Sequence, residues 1–178
     1  DRNSGTFIHY KHKPQDKKSL SHNKVSVILE DSRNNLWIGT EDGGLNLFNE
    51  KNQTFSHFRH NPKNQNTISN DDIRALFEDS KGRLWVGTED GGLNQFIYDK
   101  QIFTNYRMED GLPSNSIHDI LEDENGYLWI STINGIVRCK PEEDEYQTFD
   151  VEDGLQSNQF HYTSCLKSQS GRFYFGGI

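Results

Sequence analysis

The 178-residue chain is short of basic residues, of cysteine and of long apolar stretches, and each shortage removes a class of function. It carries 19 Lys and Arg against 27 Asp and Glu, a net charge of −8. A phosphate backbone is held by concentrated Lys and Arg, so nucleic acid is not an expected partner. The one basic cluster, Lys11, Lys13, Lys17, Lys18 and Lys24, falls in a connecting segment and reads as a solvated surface. No apolar run approaches the roughly 20 residues needed to cross a bilayer, and no leader pattern is visible. Targeting is therefore expected to lie outside these residues, and the segment itself to be soluble. The two cysteines, Cys139 and Cys165, fall on expected strands in successive repeats and read as free thiols, which leaves the redox compartment open. Also missing are a nucleophile elbow, a phosphate-binding glycine loop, a zinc-protease helix and paired CxxC motifs. No enzymatic chemistry, metal or cofactor is expected.

What the chain has is repetition. Leu36-Trp37-Ile38-Gly39-Thr40-Glu41-Asp42-Gly43-Gly44-Leu45-Asn46 returns as Leu84-Trp85-Val86-Gly87-Thr88-Glu89-Asp90-Gly91-Gly92-Leu93-Asn94. A third copy begins Leu128-Trp129-Ile130, and a weaker fourth is Phe173-Tyr174-Phe175-Gly176-Gly177. The anchors Trp37, Trp85, Trp129 and Tyr174 are spaced by 48, 44 and 45 residues. A period of this size fits either propeller blades or paired-helix solenoids. Each unit holds four short hydrophobic runs separated by turn signals such as Asp79-Ser80-Lys81-Gly82 and Asp42-Gly43, which predicts a small antiparallel meander. Ile73, Leu76 and Phe77 fall at helical spacing behind Asn70-Asp71-Asp72. The equivalent run Val25–Leu29 is β-branched, so a strand is expected in both. Leu36-Trp37-Ile38 is apolar at successive positions, as for a strand covered on both faces, and the anchors are expected to be core.

The expected fold is all-β: a propeller fragment of about four blades, incomplete at both ends. Residues 1–24 should be the last strand and exit loop of a preceding blade, because Thr6–Pro14 matches Thr54–Pro62. Blades follow at 25–72, 73–116 and 117–159, with the first half of a further blade at 160–178. Unpaired strand edges are costly, which points to pairing of two copies as a homodimer.

Residues shared by every repeat should hold blades together, and a ligand site should be built from residues that break the pattern. Glu41-Asp42 and Glu89-Asp90 could be an acid/base pair, but identical copies in successive blades read as turn chemistry. Asp31, Asp79 and Asp123 open hairpins and lack a calcium-loop ladder. His9 with His12, and His57 with His60, face opposite sides of a strand and read as solvated outer positions. The pattern breakers are Ser26, Arg74 and His118 at the entrance of each innermost strand, with Asp119, Asn134 in the third Asp-Gly-like turn, and Tyr162 in the last unit. They are expected to ring one mouth of a central channel together with the Asp-Gly turns, where Ile133-Asn134 replaces the Glu-Asp of earlier repeats. Arg and His donors beside carboxylates there would suit a sugar, uronate or sulfated ligand.

The run Ile73–Asp79, then Gly82–Thr88, then Gly92–Phe96 resembles the two-component-regulator propeller repeat, and the resemblance covers essentially the whole chain. It implies the extracytoplasmic, periplasmic sensor of a bacterial hybrid two-component system of the Bacteroidetes type. In that family two seven-bladed propellers precede a β-sandwich domain, a membrane helix and a cytoplasmic histidine kinase fused to a response regulator. Many members sense glycan fragments and switch on polysaccharide-utilisation genes, so an oligosaccharide is the implied ligand. The segment 158–177 departs from the pattern, with a first strand region two residues longer and Tyr in place of Trp, and looks like the family's final blade. Two other functions stay open. A propeller lyase acting on a cyclic small molecule would need a His and Glu pair with a metal; His118 with Glu122 or His161 are the candidates, but His118 and Glu122 lie four residues apart along one strand, about 13 Å end to end. A purely structural protein-interaction propeller would differ only in its partner.

Overall fold

The computed structural model describes residues 5–177. Three four-stranded antiparallel sheets and one two-stranded sheet follow one another along the chain. The first holds β1 (Val25–Glu30), β2 (Leu36–Thr40), β3 (Gly44–Asn49) and β4 (Thr54–Phe58) in simple meander order. The second holds β5 (Ile73–Glu78), β6 (Leu84–Thr88), β7 (Gly92–Ile97) and β8 (Ile102–Tyr106). The third holds β9 (Ile117–Glu122), β10 (Leu128–Thr132), β11 (Gly135–Lys140) and β12 (Glu145–Phe149). The last pairs β13 (Phe160–Lys167) with β14 (Phe173–Gly177). This is an array of propeller blades. The helical spacing at Ile73–Phe77 is overridden, because that segment pairs with β6 as a strand.

Turn chemistry sets the registers. Asn34, Gly82, Gly126 and Gly171 take positive φ at equivalent places in the first turn, where Asn and Gly are the tolerant residues. In the second turn the paired glycines divide the work. Gly44 has φ +75, while a Cβ on Gly43 would collide with Thr40 Oγ1. The third repeat has a single glycine there, Gly135 at φ +94.

Each sheet leans on the next through its second strand. Trp37 is fully buried and meets Phe96 and Tyr98 of the second sheet at ring-centroid distances of 5.1 and 6.3 Å. Trp85 is equally buried, in a cluster with Ile117, Ile120 and Leu128 of the third sheet. Burying such a ring removes roughly 150–250 Å² from water, which stabilises by roughly 4–6 kcal/mol. Each indole is also held from behind. Asp31 Oδ2 accepts from Trp37 Nε1 at 2.7 Å, and Asp79 Oδ2 from Trp85 Nε1 at 2.7 Å. Burial pushes the Asp31 carboxyl up, but bonds from Trp37, Asn35 and Tyr98 outweigh it and hold the group below its ordinary value.

Polar bonds close the same seams. Glu78 accepts from Ser32 N and Oγ at 2.6 and 2.7 Å, and Glu122 from Ser80 N and Oγ at 2.7 and 2.8 Å, each pair joining one sheet's turn to the next sheet's first strand. Gly44 N, Gly92 N and Gly135 N donate to Asp71, Asn115 and Asn158 carbonyls, each at 2.7 Å. Gly39 and Gly87 let the next sheet approach, since a Cβ on either would meet Ile73 Cγ2 at 2.6 Å or Ile117 Cγ2 at 2.5 Å.

Three expectations need correction. The strand expected within 1–24 does not form among described residues 5–24; this segment instead lies against the first sheet, with Tyr10 packed edge-on to Phe48 and Phe55 at 4.9 and 5.7 Å. A strand needs a hydrogen-bonded neighbour, and none of the four sheets takes this segment in. Residues 1–4 and 178 of the expected end segments lie outside the described residues. Tyr174, expected as a core anchor, is 53% exposed among the described residues, where no sheet packs over its own. Trp129 is only partly buried, stacked on Phe149 and edge-on to Phe173, because the sheet that follows it has two strands. Cys139 and Cys165 are free thiols, and burial pushes each up to about 12.

Candidate functional site

The first strand of every sheet carries a bulge one residue after its start. Val25 pairs with Thr40 and Val27 with Gly39, so Ser26 is left out of the ladder. Arg74 is left out in the same way between Ile73 and Ala75, and His118 between Ile117 and Asp119. In β13 the irregularity is longer, running between Phe160 and Cys165, with Thr163 at φ +51 and Tyr162 inside it. The extra length expected for this strand is real: it has 8 residues against 6 in β9. A bulge frees one residue from pairing and re-aims its side chain, and bulges gather beside functional sites.

Arg74 and His118 both meet Tyr162, while Ser26 reaches only the backbone of the next sheet. Ser26 Oγ donates to Ile73 O at 2.5 Å, and His118 Nδ1 donates to Phe160 O at 2.6 Å, so each reaches the first residue of the next sheet. The Arg74 guanidinium lies 4.6 Å from the Tyr162 ring centroid, and the His118 and Tyr162 rings are 4.2 Å apart. Arg74 Nε donates to Glu89 Oε2 at 3.0 Å, Nη2 to Asp72 Oδ2 at 2.8 Å, and Nη1 stands 3.7 Å from Glu41 Oε1. Tyr162 OH also donates to Glu89 Oε2, at 2.8 Å, and Lys24 Nζ holds Glu41 Oε2 at 3.1 Å.

Two expected members lie apart. Asp119 is one step further along β9 and accepts from Cys165 N at 3.2 Å; burial pushes its carboxyl up. Asn134 donates from Nδ2 to Pro113 O at 3.2 Å, clear of the Arg74 group, and beside it Ile133 is 45% exposed where the earlier repeats have Glu41 and Glu89. Of the three carboxylates around Arg74, the sequence reading names the Glu41 and Glu89 turns and misses Asp72. Glu41 and Glu89 follow Thr40 and Thr88, which pair with the first residues of β1 and β5.

Carboxylates are expected beside the Arg and His donors, and each of the three Arg74 nitrogens faces one. Burial works against the Arg74 charge, but Asp72, Tyr162, Glu89 and Glu41 outweigh it and raise the group above its ordinary value. Burial lifts Asp72 above its ordinary value in spite of Arg74. Burial lowers His118 in spite of its bond to Phe160. Two buried atoms here have no hydrogen-bond partner, Asp72 Oδ1 and His118 Nε2. The lyase pairing finds no geometry, since Glu122 is occupied by Ser80. Of the repeated histidines, His9 and His60 are exposed, as solvated outer positions would be, and His12 and His57 are partly buried. His12 and His60 bond the Leu20 and Ile68 carbonyls at 2.9 Å, and His57 bonds Ser19 O at 2.7 Å, pinning the connecting loops.

The sequence pattern of the two component regulator propeller matches residues 19–42, 67–90 and 111–134. Each matched stretch runs from a connecting loop through the bulged strand to the second turn. A solved structure described as the extracellular domain of the hybrid two-component system BT4673 from B. thetaiotaomicron is 27% identical over 93% of this chain, with a TM-score of 0.76. The chain spans 23% of the length of that protein. A second extracellular domain from the same organism, of the hybrid system BT3049, is 23% identical over 88% of this chain and 27% of its own, with a TM-score of 0.53. Virginiamycin B lyase from Staphylococcus aureus shares the fold at 17% identity, over 86% of this chain and 49% of its own, with a TM-score of 0.63. Comparison with curated proteins returned no match.

Proposed function

We infer, from the membership of this chain in the two-component regulator propeller family, that it is a ligand-sensing segment of the extracytoplasmic part of a hybrid two-component sensor. It lies in the periplasm, is completed by further blades and a β-sandwich domain of its parent, and does no chemistry itself. Its ligand is a glycan fragment released from polysaccharide, bound across the mouth formed by the bulged strands. Binding changes packing between domains and shifts a membrane-anchored kinase between states. Transcription of polysaccharide-utilisation genes is the output.

The observation that supports this reading is the meeting of non-repeating residues. Arg74 and His118 both pack on Tyr162, the three come from successive sheets, and with Ser26 they stand at the bulges of an otherwise regular array. A concave site with a few convergent polar groups is what ligand specificity requires. The test is a calorimetric titration of the complete ectodomain against a panel of oligosaccharides. Saturable heat with at least one member is expected. No heat and no thermal stabilisation with any member would overturn the glycan assignment.

A further inference from the structure

The loop of residues 60–67 repeats the backbone of residues 12–19 with different side chains. Lys18 N donates to Asp16 Oδ1 and Asn66 N to Asn64 Oδ1, each at 3.0 Å. The outer strand of the next part of the array then bonds each loop, Phe55 N to Lys18 O at 2.8 Å and Phe103 N to Asn66 O at 2.9 Å. Lys13, Lys17 and Lys18 of the first loop become Asn61, Gln65 and Asn66 in the second. With β8 and the turn at Met108–Asp110, the second loop walls a cleft of about 570 Å³, the size of a ligand site.

Uncharged amides dominate that wall. Asn61 and Asn64 spend their side-chain oxygens on Lys63 N and Asn66 N, both at 3.0 Å, which leaves each amide nitrogen without a partner among the described residues. Arg107 also lines the cleft, partly buried, and makes no ion pair among the described residues. β8 adds main-chain groups. Phe103 N points away from β7, since it donates to Asn66 O, and outward-pointing residues alternate along an antiparallel strand. Phe103 O and both main-chain groups of Asn105 therefore face outward too, with no backbone partner among the described residues. The Phe103 ring is buried in the seam between the first two sheets, and no Trp or Tyr lines the cleft, so a sugar finds no indole or phenol face to stack on.

A free strand edge beside amides and an unpaired guanidinium matches a ligand with N–H and C=O groups at strand spacing. We propose that this cleft binds an extended polypeptide segment, which pairs with the β8 edge at Asn105 and sets a carboxylate side chain on Arg107. The site is separate from the bulged mouth and does not depend on what the mouth binds.

The experiment pans the complete ectodomain against a displayed library of short random peptides, then synthesises and titrates the enriched sequences. They should carry Asp or Glu at one recurrent place and shift the Asn105 and Arg107 amides. N-methylation of the peptide residue paired with Asn105 should weaken binding about tenfold, while methylation of its neighbour, whose N–H points the other way, should cost little. Arg107→Gln should weaken the acidic peptides by about the same factor. The methylated peptides leave the protein unaltered and decide the matter if that variant fails to fold. No enriched sequence would overturn the proposal, as would peptides indifferent to the place of methylation, or an Asn105 shift produced by neutral oligosaccharides in place of peptides.

Discussion

Trp37 and Trp85 occupy equivalent positions and do the same thing in two seams, whereas at the equivalent bulge Ser26 and His118 bond the first carbonyl of the next sheet and Arg74 gathers carboxylates instead. Both sets sit on the same scaffold of strands and turns. In the seam the repeat constrains side chain and backbone together, because a ring between two sheets must fit both. At the mouth it constrains only the backbone: the bulge recurs while the residue placed on it changes. Recurrence with identity therefore marks packing, and recurrence of geometry without identity marks the place where this array can acquire specificity.

Emptying a seam should do the most damage. Trp85→Ala should cost about 3–5 kcal/mol in denaturant unfolding, the usual range for a fully buried aromatic. Trp129→Ala, at the half-covered seam, should cost clearly less, and equal losses would mean that the seams do not hold the array. Arg74→Gln probes the mouth as a charged site. It leaves three carboxylates facing one another without their cation, and should lower stability at neutral pH by about 2–3 kcal/mol. That deficit should shrink as the pH is lowered and the carboxyls take up protons. Gly87→Ala would push a Cβ against Ile117 and should cost about 1–3 kcal/mol, measured by thermal unfolding.

The smallest effects are in pH. Asp31 and Asp123 are held below their ordinary value of 3.8, so the stability they contribute is present above that pH and is lost as the pH falls through their folded values. His118 is held below 6.5 in the fold, so the unfolded chain takes up its proton first and stability declines as the pH drops below 6.5. Replacing His118 with Asn should flatten the second slope and leave the first unchanged, as read from denaturant midpoints across pH.

Much of the array was legible because local rules and the repeat agreed. Asn34 and Gly82 marked the left-handed turn position, and β-branched Val25–Leu29 settled the strand that Ile73–Phe77 left ambiguous. The bulged positions were also legible as a row of unlike residues at one place in the period. What stayed hidden was contact between sheets. Sequence spacing within a repeat says nothing of Ser32 reaching Glu78, or of Tyr98 sharing Asp31 with Trp37. The same blindness hid how fully Arg74 is engaged, since two of its three carboxylates come from second turns and one of those belongs to the preceding sheet. The segment after Thr6 kept a strand's sequence and lacked a strand's neighbour.

Everything said of function requires that the ligand sit in the bulged mouth and on no other surface of the array. Amide chemical-shift mapping on the isotope-labelled ectodomain, with the tightest-binding oligosaccharide added stepwise, locates it without further assumption. Shifts should gather at Ser26, Arg74, His118 and Tyr162 and at their partners Asp72 and Glu89, with the Trp37 and Trp85 indoles unmoved. Shifts confined to the outer strands β4, β8 and β12, or to the loop around Asn61 to Thr67, with a silent mouth, would refute that placement.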